Sequence, residues 1–235
     1  MAGITTLMPT RGRPERALEA INSHNSTKTL EDTAIVAVLD NNDPRFMDYI
    51  KLDSPTTEVI VSTGGMVQRS NDAALKLVNR FDGPSIIGWT ADDQLFRTDG
   101  WDHRIKGAFL NPSVGFVMTN DLHYGEVKAV NIYTRAEIVK ALGWFLLPTL
   151  EHLYVDDAWV RLGRESGSLE YLEDVVVEHM HPVYGKAEDD AQYAELHTSE
   201  KYKKDGAAYD NWLFHYLDGD VDTVKECLRR LGKQD

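Results

Sequence analysis

Two adjacent carboxylates, Asp92 and Asp93, follow the apolar run at residues 86–89. Mg²⁺ and Mn²⁺ prefer oxygen ligands, and many enzymes hold these cations with one or two carboxylates and the phosphates of a nucleoside diphosphate. The alternative is a solvated turn at the end of a strand, which is common in an acidic protein. The pair therefore indicates a metal site only if residues of matching chemistry converge on it.

The elements before this pair alternate regularly. Strand-like apolar or β-branched runs and segments of helical spacing follow one another at 4–8, 14–24, 34–39, 43–52, 58–62, 67–79 and 85–89. This order predicts βαβ units and an α/β fold with a mostly parallel central sheet flanked by helices. In such sheets ligands bind beyond the carboxyl ends of the strands.

Residues suited to a nucleotide stand at those predicted strand ends. A carboxylate can accept a hydrogen bond from a base or ribose, and an arginine can stack on a base or bind phosphate. The alternative for each residue is an ordinary turn or surface position. The candidates are Pro9, Thr10, Arg11 and Arg13 after the first strand, Asp40 after the second, and Arg69 and Asn71 after the Gly64-Gly65 turn.

The second half of the chain has a different pattern. Further strands are predicted at 114–119, 130–133 and 169–180, and helices at 135–142 and 155–163. From residue 187 onward the sequence is charged and of helical type, and Asp220 is predicted to cap the last helix. We predict one domain at 1–186 and a helical C-terminal extension at 187–235 that packs on it.

Two more groups could do chemistry. His179 and His181 lie near the end of the last predicted strand, where either could complete a metal site or serve structure alone. Asp156 and Asp157 begin a predicted helix, where acids complement the helix dipole, although one of them could also act as a general base.

Composition restricts the class of protein. The 235 residues are 42% hydrophobic and 27% charged, which is typical of a folded domain. No apolar run approaches the roughly 18 residues that a membrane-spanning helix needs, so we predict a cytoplasmic protein without a membrane partner. The net charge of −13 disfavours a broad nucleic-acid-binding face. Local basic clusters remain, at Arg11, Arg13 and Arg16 and at Lys201, Lys203 and Lys204.

Together these segments resemble glycosyltransferases of the GT-A fold, close to the inverting family 2 and to its compact bacteriophage members. The resemblance covers roughly residues 3–186. It implies that Asp40 recognises the base, that Asp92 contacts ribose or metal, and that Asp157 is the catalytic base beside Asp156. It also implies metal ligation by Asp93 and His181. The donor-binding residues it implies are Pro9, Thr10, Arg11, Arg13, Asp40, Arg69, Asn71 and Asp92, to which we add Lys186.

The resemblance implies a Mn²⁺- or Mg²⁺-dependent inverting transfer of a sugar from a nucleoside diphosphate sugar, with UDP-sugar as the expected donor, to an acceptor hydroxyl. The acceptor could be a hydroxymethylated pyrimidine in phage DNA, in which case the enzyme works in the host cytoplasm and basic residues of the C-terminal extension could contact DNA. A surface glycan is the other acceptor. A sugar-phosphate nucleotidyltransferase and a non-catalytic binding protein remain as alternatives; no oligomeric state is predicted.

Overall fold

The computed structural model describes residues 3–80, 82–83, 85–181, 184–186 and 198–233. The strands are β1 Ile4–Thr10, β2 Thr33–Asp40, β3 Thr57–Ser62, β4 Ile86–Trp89, β5 Gln94–Phe96, β6 Phe116–Asn120, β7 Ile132–Arg135 and β8 Leu169–His179. The helices are α1 Pro14–Thr27, α2 Phe46–Ile50, α3 Met66–Val78, α4 Trp101–Ala108, α5 Ala136–Leu142, α6 Val155–Glu165, α7 Ser199–His215 and α8 Leu217–Leu231.

The strands form one eight-stranded sheet in the order β3-β2-β1-β4-β7-β6-β8-β5. The first four strands pair in parallel, as the alternation of strands and helices predicts. The sheet as a whole is mixed, because β7 runs antiparallel to β4 and β6, and β5 runs antiparallel to β8. The 121–131 segment, which joins the neighbouring strands β6 and β7, is shorter than the helical crossover that parallel pairing of consecutive strands requires. Strand β5 was not predicted from the sequence.

Close packing at the centre of the sheet fixes the end of β4. Gly88 faces Tyr133 on β7, and a Cβ atom at this glycine would lie 2.2 Å from the Tyr133 ring. The Tyr133 hydroxyl in turn lies 3.4 Å from the hydroxyl of Thr6 on β1. These contacts hold β4 against both neighbours, so the loop that carries Asp92 and Asp93 starts from a rigid position.

The C-terminal helices pack on the sheet's helical layer. Val221, Val224 and Leu228 of α8 are buried in the same hydrophobic core as Ile138 of α5. Helix α8 begins at Leu217, so the prediction that Asp220 caps it was wrong. Asp220 instead lies in the first turn and accepts a hydrogen bond from the indole nitrogen of Trp212 at 2.7 Å. The predicted helical character of residues 187–197 lies outside the described residues.

In the part of the chain that the structure describes, we find no helix with the length and apolar character needed to cross a membrane.

Candidate active site

A cleft of about 1330 Å³ opens at the carboxyl ends of β1, β2 and β4. It is bordered on the other side by the 148–157 segment and by the start of α7. The predicted site residues that line it are Pro9, Thr10, Arg11, Arg13, Asp40, Arg69, Asp92, Asp93, Asp156, Asp157 and His181. The structure thus brings together residues from the first and second halves of the sequence.

Asp40 and Arg69 form a buried ion pair at one end of the cleft. Nη1 of Arg69 donates to Oδ2 of Asp40 at 2.8 Å and to the carbonyl of Gly64 at 2.7 Å. Gly64 has φ +93°, a left-handed conformation that favours glycine and presents this carbonyl to the guanidinium. Burial lowers the pKa of Arg69, against the raising effect of Asp40. Arg11 is more exposed, and its Nη1 lies 3.6 Å from the same Asp40 oxygen.

Asp92 is held by residues that follow β1. Arg13 contacts both of its carboxylate oxygens, with Nη2 at 2.5 Å from Oδ1 and Nε at 3.3 Å from Oδ2. The Thr10 hydroxyl donates to Oδ2 at 2.6 Å. Burial raises the pKa of Asp92 to about 6, although Arg13 acts to lower it. The Asp92 carboxylate is therefore held by Arg13 and Thr10 at the lining of the cleft.

Tyr49 of α2 completes this arrangement and was missed in the sequence analysis. Its hydroxyl accepts a hydrogen bond from the backbone N–H of Arg13 at 2.6 Å and lies 3.2 Å from the Thr10 hydroxyl. The side chain is fully buried. Tyr49 thus fixes the loop after β1, and no local sequence signal distinguishes it from an ordinary core tyrosine.

Asp93 lies beside the end of β8. Nε2 of His179 is 3.6 Å from Oδ2 of Asp93, and the backbone N–H of Met180 donates to the Asp93 carbonyl at 2.8 Å. The ring of His181 lies 5.0 Å from that of His179, centre to centre. Both histidines line the cleft, so the assignment of His181 as a metal ligand stays a prediction.

Asp156 and Asp157 occupy the first turn of α6 and share one cation. Nζ of Lys128 lies 2.9 Å from Oδ2 of Asp156 and 3.8 Å from Oδ2 of Asp157. Burial raises the pKa of Asp157, and the neighbouring charge of Asp156 adds to this effect. Burial alone would lower the pKa of Lys128, but the two carboxylates outweigh it and raise that pKa. Lys128 was not identified from the sequence.

Helix α7 anchors the loop that leads into α6. The carboxylate of Asp205 is buried and accepts three consecutive backbone N–H groups, those of Glu151 at 3.1 Å, His152 at 2.9 Å and Leu153 at 2.8 Å. Lys204 forms an ion pair with Glu151. The residue before α6, Tyr154, has φ +64° and stacks on Tyr209 of α7 with ring centres 5.5 Å apart. The extension therefore shapes the cleft.

Two residues assigned to the donor lie elsewhere. Asn71 points away from the cleft: its Oδ1 accepts the N–H groups of Phe145 and Leu146, and its Nδ2 donates to the Leu146 carbonyl, each at 2.8 Å. Among the described residues, the side chain of Asn71 thus binds the 145–146 backbone. Lys186 borders a smaller cavity of about 240 Å³ that also touches Asp92 and Asp93, and its ammonium lies 2.6 Å from Oε1 of Glu178.

Comparisons with known proteins give a likeness of fold. No family model matches the chain, and no curated protein matches it. Among solved structures, S. aureus TarS superposes with a TM-score of 0.59 at 11% identity, covering 92% of this chain and 45% of TarS. TarS 1-349 in complex with UDP-GlcNAc superposes with a TM-score of 0.58 at 11% identity, covering 97% of this chain and 92% of that one.

A third structure is the mannosyltransferase PcManGT from Pyrobaculum calidifontis in complex with GDP-Man and Mn²⁺. Its TM-score is 0.58 at 12% identity, covering 99% of this chain and 75% of that one. The fold is like that of GT-A glycosyltransferases. The α/β prediction is confirmed with a mixed sheet, whereas a specific likeness to bacteriophage members remains a prediction.

Proposed function

We propose that the chain is a metal-dependent glycosyltransferase that moves a sugar from a nucleoside diphosphate sugar to an acceptor hydroxyl. The observation that carries this proposal is one cleft lined by the Asp40–Arg69 pair, by Asp93 with two histidines, and by the carboxylate of Asp157. The likeness to structures that bind UDP-GlcNAc or GDP-Man with Mn²⁺ supports it.

The nucleoside would lie at the Asp40 end of the cleft. Asp40 supplies acceptor oxygens for the N–H groups of a base, and Arg11 beside it supplies a planar cation that can stack on that base. The Nε atom of Arg69 is buried without a hydrogen-bond partner among the described residues, so a donor's acceptor atom could satisfy it. We retain uridine as the expected base.

The residues around Asp93 suit a hard divalent cation in part. Asp93 offers a carboxylate, and His179 and His181 offer ring nitrogens, a set compatible with Mn²⁺. Nδ1 of His179 is buried without a hydrogen-bond partner in the described ranges. Within those ranges no three His, Cys, Asp or Glu side chains are close enough to hold a metal by themselves. The donor's phosphate oxygens would supply the remaining ligands, and the bound cation would offset the charge on the leaving diphosphate.

Asp157 is the proposed general base. Lys128 lies closer to Asp156 than to Asp157, which leaves the Asp157 carboxylate the freer of the two to take a proton. Its raised pKa makes it a stronger proton acceptor than an ordinary aspartate.

The proposed reaction is one displacement at the anomeric carbon. The acceptor oxygen forms a bond to that carbon as its proton passes to Asp157. The bond from the anomeric carbon to the phosphate oxygen breaks, and its electron pair leaves with the nucleoside diphosphate. Attack opposite the leaving group inverts the anomeric configuration, which NMR of the product would report. A hydroxymethylated pyrimidine in phage DNA stays our acceptor hypothesis, with action in the host cytoplasm, and a surface glycan is the alternative.

The deciding experiment incubates the protein with a panel of nucleotide sugars with and without Mn²⁺ and measures the released nucleotide. We expect nucleoside diphosphate to appear only with metal, and Asp93→Ala to abolish its release. Release of pyrophosphate from a nucleoside triphosphate and a sugar phosphate would instead indicate the nucleotidyltransferase. Turnover that survives Asp157→Asn unchanged would contradict the assigned base; Asp210→Asn, at an exposed position on α7, is the control.

A further inference from the structure

The start of helix α7 forms one wall of the cleft, and contacts with the 151–154 segment hold it there. Asp205 binds three backbone N–H groups of the 151–153 loop, and Tyr209 of the same helix stacks on Tyr154. The Tyr209 hydroxyl also approaches the carbonyl of Asp157 at 3.5 Å. The first turns of α7 therefore keep a constant position beside the proposed base.

The basic side chains of the cleft differ in whether a described carboxylate pairs with them. Arg11, Arg13, Arg69, Lys128 and Lys204 each face a carboxylate of the protein. Lys201 of α7 lines the same cleft and is half-buried, yet no described residue supplies a carboxylate to its ammonium. A half-buried cation to which the described residues supply no carboxylate is suited to an anion that arrives with a ligand.

Exposed aromatic rings also border this cleft. Tyr202, next to Lys201, is 43% exposed, and Tyr124, from the segment between β6 and β7, is 41% exposed. Nζ of Lys128 lies 5.4 Å from the centre of the Tyr124 ring. The same ammonium pairs with Asp156, so Tyr124 lies on the side of the cleft that carries the two aspartates. Tyrosines that remain exposed in a cleft present flat faces on which a sugar or base can stack.

We propose that Lys201 and Tyr202 form an acceptor subsite for a molecule that carries a phosphate near its reacting hydroxyl. Lys201 would bind the phosphate, and Tyr202 would stack on the ring that bears the hydroxyl. The proposal rests on the proposed function, since it places the acceptor beside Asp157. A nucleotide and a phosphorylated polyol both carry a phosphate and a hydroxyl, but only the nucleotide has a ring for Tyr202. Lys203 does not line the cleft, and Arg229 and Arg230 pair with Glu226, so these residues have no part in the subsite.

The test measures binding of two probe pairs to the protein saturated with UDP and Mn²⁺, which fills the donor site. The pairs are 5-hydroxymethyl-2′-deoxycytidine with its 5′-monophosphate, and glycerol with glycerol 3-phosphate. We expect the phosphorylated member of at least one pair to bind about tenfold more tightly, as one charge-assisted hydrogen bond provides. The responding pair identifies the source as nucleotide or polyol phosphate.

Lys201→Ala should remove this preference, and Lys203→Ala, on the same helix, should retain it. Tyr202→Ala should weaken the nucleotide pair and leave the glycerol pair unchanged. Equal binding of both members of each pair, no binding of any probe, or equal effects of the two lysine variants would overturn the proposal. So would weaker UDP binding in Lys201→Ala, which would make Lys201 a donor contact. Failure of UDP and of every nucleotide sugar to bind the unaltered protein would instead reject the proposed function.

Discussion

The guanidinium of Arg69 lies 2.8 Å from the carboxylate of Asp40, and both side chains are less than a tenth exposed. One residue ends β2 and the other lies in the first turns of α3, so the pair joins two elements at the rim of the cleft. A buried ion pair contributes modestly to stability as a pair, but each member becomes costly when the other is removed. The same contact also directs Asp40 toward the proposed base-binding end.

Removal of one partner should therefore destabilise the protein more than removal of both. For Asp40→Ala we expect the free energy of unfolding to fall by about 3–5 kcal/mol, because Arg69 becomes an unpaired buried cation. The double variant Asp40→Ala with Arg69→Met should regain most of that loss in urea denaturation. Neither should bind UDP by calorimetry. UDP binding by the double variant would exclude a donor role for the pair.

The loss of transfer rate at acidic pH should reflect protonation of Asp157. The base acts when ionised, so the rate falls as pH drops through its raised pKa. Asp156→Asn removes a charge that raises this pKa and should move the loss of rate to lower pH. Lys128→Met removes a charge that lowers it and should move the loss of rate to higher pH. Initial rates between pH 4 and 8 would test both shifts. Shifts in the same direction would contradict the assignment of Asp157.

Asp205→Ala should loosen the loop before α6 without affecting the donor. The variant leaves three backbone N–H groups without their acceptor, and we expect a loss of about 3 kcal/mol in the free energy of unfolding. Hydrogen exchange should accelerate at residues 151–153, and the transfer rate should fall while the Kd for UDP stays the same. Asp210→Ala, exposed on the same helix, is the control. A matching loss of UDP affinity would indicate general disruption.

Stability should decline in mild acid because of His24. This histidine is fully buried against Phe96 and Trp101, and burial lowers its pKa from 6.5 to about 4. The unfolded state then binds more protons than the folded state between these values, so stability is lost as pH falls through that range. The shift corresponds to about 3 kcal/mol.

His24→Phe keeps an aromatic ring in that cluster and removes the titration. Its free energy of unfolding, from urea curves at pH 7 and pH 4.5, should change less than that of the unaltered protein. An equal decline in both proteins would assign the acid sensitivity to other groups.

The sequence predicted that several acidic residues lie at one edge of the sheet, because strand periodicity indicates where strands end. Asp40 ends β2, Asp92 and Asp93 follow β4, and the parallel order of β1, β2 and β4 brings them to one edge. The antiparallel pairing of β7 was not predictable from local patterns, since periodicity identifies a strand without identifying its neighbours.

Residues whose partners are distant in sequence were assigned less well. Asn71 was placed in the site from its position after the Gly64-Gly65 turn and from the resemblance, but its amide binds the backbone of Phe145 and Leu146, more than 70 positions away. Asp205 was missed because a single acid in a charged helix gives no sign of its target loop. The sequence did not distinguish His179 from His181, and the choice of His181 as the metal ligand stays a prediction because both rings line the cleft.

The contact between Asp205 and the 151–153 loop can form only after most of the chain has been synthesised. The acceptor of the His152 N–H lies 53 residues later in the chain, so a growing polypeptide displays the loop long before its anchor exists. The ends of β1, β2 and β4 are translated before this point, whereas the loop before α6 must wait for α7. The order of translation therefore separates the assembly of the two halves of the cleft, and the half that carries Asp157 is completed last.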